Sequence, residues 1–436
     1  MNAEIITIGD ELLIGQVVDT NSAWMAERLN EVGISLHQIT SVHDDREHIL
    51  TALEEAFSRA DIVFTTGGLG PTKDDITKHI MCEYFGTQLV EDLDVRAHIH
   101  DLYKDRPEAL NRLTATQWLV PKSATILPNR VGSAPIMVFK KCLGVQEFSS
   151  LEEFKIPNSK FLIALPGVPH EMKIAMMEQV LPFISKFIIQ NSKFKIVHRT
   201  ILIHGIPESK LAILIEDWEN ALPPYIHLAY LPKDGIIRLR LSAYGEATEA
   251  ELQSYLDSLL PLISDYLLAT EDISLEALVG QLLKQQGATI ATAESCTGGR
   301  LAAVLNALSG SSSYYMGSVI AYDNSVKTNL LGVSQSTLDT DGAVSESTVR
   351  QMAEGVRCLL HTDYAIATSG IAGPTGGTPD KPVGTVWIAW ATPIGTEAQC
   401  FHFGAARERE QITLRAVTEA LVRLVKTLST QSAAGC

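Results

Sequence analysis

Residues 3–87 alternate short β-branched runs with stretches of helical periodicity, and no other feature restricts the fold as much. "EIITIG" reads as a buried strand, and "NSAWMAERLNEVG" as a helix capped at Asn21 and stopped at Gly33. "ISLHQITSV" is a strand, "REHILTALEEAFSRA" a helix and "DIVFTTGG" a strand; "DDITKHIMCEYFG" is a helix with acids in its first turn. A β-α-β-α-β-α order predicts a parallel sheet with right-handed crossovers. Residues 275–430 follow the same logic without repeating the sequence: "ATIATA", "YYMGSVIAY", "YAIATSG", "PVGTVWIAWAT" and "AQCFHF" read as strands among amphipathic helices. Between them, residues 196–270 read as β-α-β-β-α, with a hairpin turning at Lys233-Asp234-Gly235. The expected architecture is therefore α/β: two parallel-sheet domains, 1–175 and 275–430, joined by a small α+β module at 190–270. Residues 143–160 break the pattern and read as an inserted surface loop.

A chain of 436 residues suits two or three domains. Its 35 Lys and Arg against 51 Asp and Glu give a net charge of −16. That field repels polyanions, so direct nucleic-acid binding is disfavoured, whereas a local loop can still hold a small phosphorylated ligand. The six cysteines, at 82, 142, 296, 358, 400 and 436, form no CxxC pair and suit a reducing cytosol. "MNAEIITIGDELL" lacks a basic leader, and no apolar run approaches the ~18 residues of a membrane span. The expectation is a cytoplasmic, membrane-free homo-oligomer, a dimer, whose partners are small-molecule nucleotides.

Three strands in the first domain end in polar or glycine-rich loops: "GDELLIGQVVDTN", "VHDDRE" and "TTGGLGPTKDD". Ligands of open parallel sheets bind at the carboxyl ends of strands. "TTGGLG" can expose successive backbone N–H groups as an anion nest. Asp10, Glu11, Asp74 and Asp75 fall at the same edge, where carboxylates beside a phosphate suit a bridging divalent cation. Tight turns and helix caps are the alternative reading of the same glycines and acids.

The stretches "GDELLIGQVVDTNSAWMAERLNEVG", "TTGGLGPTKDDIT" and "LPGVPHEM" resemble the molybdopterin-binding fold of the competence/damage-inducible CinA family. The resemblance implies a nucleotide-like or pterin-like phosphate ligand and metal-dependent cleavage of ADP-ribose. It carries over Asp10, Glu11, Asp19, Asn21, Gly67, Gly68, Asp74, Asp75 and Thr77 as site residues, with Asp74 and Asp75 at a divalent metal. The 143–160 insertion and Ile136 in "GSAPIM" depart from the family pattern.

In the last domain, "ATAESCTGGR" places Ser295, Cys296 and Thr297 side by side where a strand gives way to a helix. Helical N–H groups facing such a junction can stabilise an oxyanion or a phosphate. His361 ends a long helix and His402 lies within a late strand, so a Ser–His pair is disfavoured. Lys284 and Lys426 fall on amphipathic helices, and Lys381 lies in a loop. Lys327 follows "AYDNSV" just beyond a strand. A Ser295–Lys327 pair assisted by Tyr322 is one reading; ordinary cap and surface roles are the other. Cys296 points away from Ser295 by strand alternation, and Thr297 suits a helix cap or a phosphate ligand. "ATSGIAGPTGG" offers a second glycine-rich loop, and either Arg407 or Arg409 could hold a phosphate.

"ATAESCTGGRLAA", "GSVIAYDNSVKTNLLGV", "GAVSESTV", "SGIAGPTGG" and "KPVGTVWIA" together resemble the nicotinamide mononucleotide deamidase domain that forms the C-terminal half of CinA. The resemblance implies an amidohydrolase with Ser295 as nucleophile, Lys327 as base and Tyr322 assisting, and no cofactor for deamidation. Thr297, Gly298, Gly299, Ser369, Gly370, Gly373 and Arg407 would bind substrate. The oxyanion and phosphate would lie on the Thr297–Gly299 turn or the Gly370–Gly373 loop. Asp323 stands where the family has Ser, and Ala405-Ala406 where it has Gly-Asp. A non-enzymatic nucleotide- or pterin-binding protein of competence or DNA damage is the alternative.

Overall fold

The computed structural model of the chain describes residues 1–72, 75–142, 159–185, 197–243 and 249–434. Residues 143–158 of the expected surface loop, and Asp74, lie outside them. The chain divides into two compact units, Met1–Val197 with Ala243–Thr248, and His198–Ser242 with Glu249–Cys436. Among the described residues no helix is long and apolar enough to cross a membrane.

In the first unit Asn2–Ile8 (β1), Ser35–Val42 (β2) and Ile62–Thr66 (β3) alternate with helices Asp10–Leu13 (α1), Thr20–Glu31 (α2), Arg46–Arg59 (α3) and Thr77–Tyr84 (α4). Leu89–Glu91 (β4) pairs with Leu119–Pro121 (β5) beside helix Leu93–Leu102 (α5). Thr125–Leu127 (β6), Ile136–Cys142 (β7) and Ser159–Leu165 (β8) complete the main sheet, and helix Pro169–Ala175 (α6) follows. Strand order is β2-β1-β3-β8-β7-β6. The pairs β1–β2, β1–β3 and β3–β8 are parallel; β7–β8 and β6–β7 are antiparallel. The expected parallel sheet thus carries an antiparallel edge formed by β7 and β6. Neighbouring residues on its inner strands enter opposite cores. Ile5 and Phe64 pack with Met25, Leu29 and Met172, while Ile6 and Val63 pack with Ile49, Leu53 and Phe57. This is why these strands read as continuous apolar runs.

Two local expectations are corrected. Helix α2 is capped by Asp19, which accepts from Ser22 N at 3.0 Å and from Ser22 Oγ, not by Asn21. The helix begins one residue before Asn21, whose side chain crosses to β3 instead. Helix α4 begins at Thr77, so Asp75 precedes it and closes a turn by accepting from Thr72 N at 2.9 Å.

The second unit holds two sheets. Val197–His204 (β9), Ile226–Lys233 (β10), Ile236–Ala243 (β11) and Leu267–Ala269 (β12) align as β10-β11-β9-β12, with helices Glu208–Leu214 (α7), Glu216–Asn220 (α8) and Glu249–Ile263 (α9). The hairpin turn lies at Asp234 and Gly235, both with positive φ (48° and 95°), the geometry of a two-residue primed turn. Then come Leu275–Gln286 (α10), Ile290–Glu294 (β13), Arg300–Asn306 (α11), Tyr315–Ile320 (β14), Asn324–Leu331 (α12), Gln335–Thr340 (α13), Glu346–Leu359 (α14), Tyr364–Gly370 (β15), Thr385–Thr392 (β16), Gly395–His402 (β17) and Arg409–Ala434 (α15). Their strand order is β14-β13-β15-β16-β17. The first three strands are parallel, and β16 and β17 turn back antiparallel through a two-residue link. Helix α15 also meets the small sheet, where His204 Nε2 lies 3.2 Å from Glu419 Oε1.

Lys78, on α4, is only 7% exposed, and its Nζ donates to Thr116 O at 3.3 Å. Burial lowers its pKa from 10.5 to about 8. The unfolded chain therefore holds a proton that the folded chain releases between those values, and stability rises with pH across that window. Below it the full penalty remains, on the order of 3 kcal/mol. Lys78→Met is expected to raise the urea midpoint at pH 7, with the gain shrinking to nothing as pH passes 10.5; equal midpoints at pH 7 would contradict this.

Candidate active sites

At the carboxyl edge of the first sheet, a cavity of about 420 Å³ is lined by Glu11, Asp19, Asn21, Asp44, Gly67, Gly68 and Asp75, with an apolar wall from Leu12, Val17, Val18 and Val168. Six residues expected from the sequence thus meet at one pocket. Asp10 stands beside it, accepting from His43 Nδ1 at 2.8 Å. Thr77 lies behind the glycine loop, its amide donating to Gly68 O at 3.3 Å and its buried hydroxyl without a hydrogen-bond partner among the described residues. Asn21 donates to Gly167 O at 2.7 Å and to Thr66 Oγ1 at 3.2 Å, leaving its buried Oδ1 unpartnered among the described residues. Of these two groups only Asn21 Oδ1 lines the pocket, where it suits a polar ligand.

Asp44 was not singled out from the sequence, although it sits in "VHDDRE". Burial first, then the carboxylates of Asp10, Glu11 and Asp75, hold its carboxyl above the ordinary value. Among the described residues no group of three or more His, Cys, Asp or Glu converges on a metal position. Hard carboxylate oxygens fit a hydrated ion rather than an all-protein cage.

The glycine loop tolerates no side chain. Gly67 has φ 111°, and a Cβ there would lie 2.0 Å from Ile8 O. Gly67→Ala is expected to lower the stability of this unit by roughly 2 kcal/mol, read as a lower unfolding midpoint. An unchanged midpoint would contradict the close approach.

In the second unit, Ser295 leaves the end of β13 half-buried, and its amide donates to Thr368 O at 2.9 Å on neighbouring β15. Its hydroxyl has no hydrogen-bond partner among the described residues. Lys327 does not lie in a loop. It occupies α12, whose N-cap Asp323 accepts from Ser325 N. Lys327 is 1% exposed, and its Nζ donates to Ala321 O at 2.8 Å and Tyr322 O at 3.1 Å. Burial lowers its pKa, against the opposing pull of Asp323 and Cys296. A neutral amine sharing both N–H bonds with those two carbonyls keeps its lone pair on the remaining vertex.

Tyr322 touches the amine through its backbone carbonyl. Its phenol is 65% exposed, and its oxygen accepts from Arg409 Nη2 at 3.4 Å. Arg409 also donates to Gly373 O at 3.0 Å, so it ties together the two loops that flank the serine. Arg407 instead donates to Phe403 O. Ser369 is buried and donates to Ala343 O at 2.6 Å. Gly370 packs against Thr385 and Val386. Gly298 and Gly299 both take positive φ, 60° and 96°.

The cap role expected of Thr297 belongs to Glu294. This carboxylate is fully buried and accepts from Thr297 Oγ1 at 2.6 Å, Gly299 N at 3.0 Å, Leu301 N at 3.0 Å and Ala302 N at 2.7 Å. The N–H groups at the start of α11 are therefore already spoken for, which corrects the expectation that they face a ligand. Cys296 packs in the apolar core with Leu301 and Leu305, and burial pushes its thiol up to about 12, so it is a thiol rather than a nucleophilic thiolate.

Three sequence families match in succession: "Probable molybdopterin binding domain" over residues 4–186, "Damage-inducible protein CinA KH domain" over 198–268 and "CinA C-terminal domain" over 272–428. A "CinA-like protein" of Cytophaga hutchinsonii is 47% identical over 395 residues, covering 89% of each chain. A "CinA-like protein" of Flavobacterium psychrophilum is 42% identical over 433 residues, covering 98% of each. The crystal structure of competence damage-inducible protein A from Klebsiella pneumoniae is 41% identical, covering 36% of this chain and 95% of that one, with a TM-score of 0.34.

Proposed function

The chain belongs to the CinA family, and on that premise we propose that its second unit hydrolyses the carboxamide of nicotinamide mononucleotide to the carboxylate and ammonia. The observation that carries this reading is a buried amine, Lys327, held by two backbone carbonyls on the sheet edge that also presents Ser295.

Ser295 Oγ attacks the carboxamide carbon while its proton passes to the Lys327 lone pair, directly or through one water. The carbonyl π pair moves onto oxygen. Collapse of that oxyanion breaks the C–N bond, and the lysine ammonium returns the proton to the leaving nitrogen, which departs as ammonia. Water, deprotonated by the same amine, then opens the acyl-enzyme. Arg409 supports phosphate recognition better than Arg407, because its guanidinium bridges Gly373 and Tyr322, in the segments that follow the two strands flanking β13.

The pocket of the first unit supports a second activity, cleavage of the diphosphate of ADP-ribose. Asp75, with Asp74 from outside the described residues, would hold a hydrated divalent cation that neutralises charge on the diphosphate.

Ser295→Ala is expected to abolish ammonia release from nicotinamide mononucleotide while the fold remains; full activity would move the nucleophile elsewhere. With Lys327 as base, kcat should climb with pH along a limb whose midpoint lies below the ordinary lysine value of 10.5. A pH-independent kcat below that value would contradict the amine's role. Asp75→Ala should remove metal-dependent ADP-ribose cleavage and spare deamidation. Loss of both together would overturn the two-site reading.

A further inference from the structure

We infer that Glu294 is a positioning residue that confines the oxyanion hole to the amides of Cys296 and Thr297. The inference rests on the serine-hydrolase reading above and follows from a full account of the turn's amides.

Ser295 N donates to Thr368 O at 2.9 Å, and Gly298 N to Ser295 O at 3.3 Å. Arg300 N donates to Thr297 O at 3.1 Å, and Ala303 N to Gly299 O at 2.9 Å. The Glu294 carboxylate takes Gly299 N, Leu301 N and Ala302 N. From 295 to 303, only the amides of Cys296 and Thr297 have no oxygen acceptor among the described residues, the first lying against its own thiol sulfur. The first of them is the amide directly after the nucleophile, where a strand-to-helix elbow places an oxyanion donor, and the second is the next free amide of the same turn.

A full negative charge in place of a water or a neutral cap has two effects. It holds the start of α11 to the strand that carries Ser295, because Glu294 is the adjacent residue. It also turns Thr297 Oγ1 inward, where that hydroxyl lies 2.6 Å from Glu294 and 2.7 Å from Thr368 Oγ1, so the Thr297 side chain is withdrawn from the substrate. Three loops are thereby registered on one carboxylate: the nucleophile's turn, the first turn of α11 and, through Thr297, the end of β15. Glutamine has one oxygen and an amide that would face N–H donors, so it cannot replace the carboxylate.

The test uses the full chain and two independent readings of Glu294→Gln. The first is kcat and KM for ammonia release from nicotinamide mononucleotide. The second is the rate at which a fluorophosphonate labels Ser295, followed by intact mass; labelling needs the oxyanion donors but no nucleotide. The expected result is a fall of roughly 100-fold in kcat and a comparable fall in labelling rate, with KM within about threefold of wild type. A merely structural role would raise KM together with the loss of kcat. Labelling and kcat both within about threefold of wild type would overturn the inference.

If Glu294→Gln fails to fold, Thr297→Val removes one of the carboxylate's donors with little change of volume. It should lower kcat and labelling about tenfold at constant KM, and no change in either would overturn the inference. A wild-type chain that is labelled at Ser295 but releases no ammonia would sink the amidase reading alone, and the ratio of labelling rates would still decide the role of Glu294.

Discussion

A lysine amine buried where two backbone carbonyls meet it is the constraint on which the second unit depends. Burying an ammonium is costly, and the carbonyls of Ala321 and Tyr322 with the pull of Asp323 meet only part of that cost. The group responds by giving up its proton more readily. The elements around it serve that end. Strand β14 delivers Ala321 and Tyr322, helix α12 delivers Lys327, and β13, paired with β14, brings Ser295 to the same edge. A solvated lysine would keep its proton at neutral pH and could not act as a base.

The turn after Ser295 is built around the opposite charge. Glu294 and Lys327 are both buried, yet their neighbours differ in kind: the carboxylate collects three amides and a hydroxyl, and the amine collects carbonyls. Each is stabilised by backbone dipoles rather than by the other. The division of labour leaves Cys296 in an apolar core, where its thiol stays protonated and out of the chemistry. The first unit solves a different problem with a different device. Its glycine loop brings backbone close to the ligand edge, and burial, reinforced by the neighbouring carboxylates, makes Asp44 resist ionisation, the condition a cation or a shared proton would relieve.

Much of this was legible in the sequence. The apolar strands and their succession along the chain follow from runs such as "EIITIG" and "YAIATSG", because strands buried on both faces admit no polar alternation. The positive-φ turn at Asp234-Gly235 and the glycine loop at Gly67-Gly68 follow from residues that such conformations require. The helix carrying Lys327 was missed because it spans only eight residues. Its signals, Asp323 at the start and Gly332 at the end, bracket too few apolar positions to set a period. Glu294 was missed because one acid at the end of a buried strand carries no pattern; its partners are amides, which a sequence does not display. The antiparallel edges were missed for a simpler reason. A short link such as Pro393-Ile394 permits a hairpin, but the alternation of strands and helices elsewhere argued for crossovers.

The chemistry of the second unit turns on the charge of one amine, and that charge can be observed directly. With ¹³C-labelled lysine, the ε-methylene signal that disappears in Lys327→Met can be followed against pH by NMR. A midpoint clearly below that of the exposed lysines in the same spectra is the predicted result. A midpoint among them or above them would mean that residue 327 stays an ammonium throughout the working range, and would contradict its role as the base.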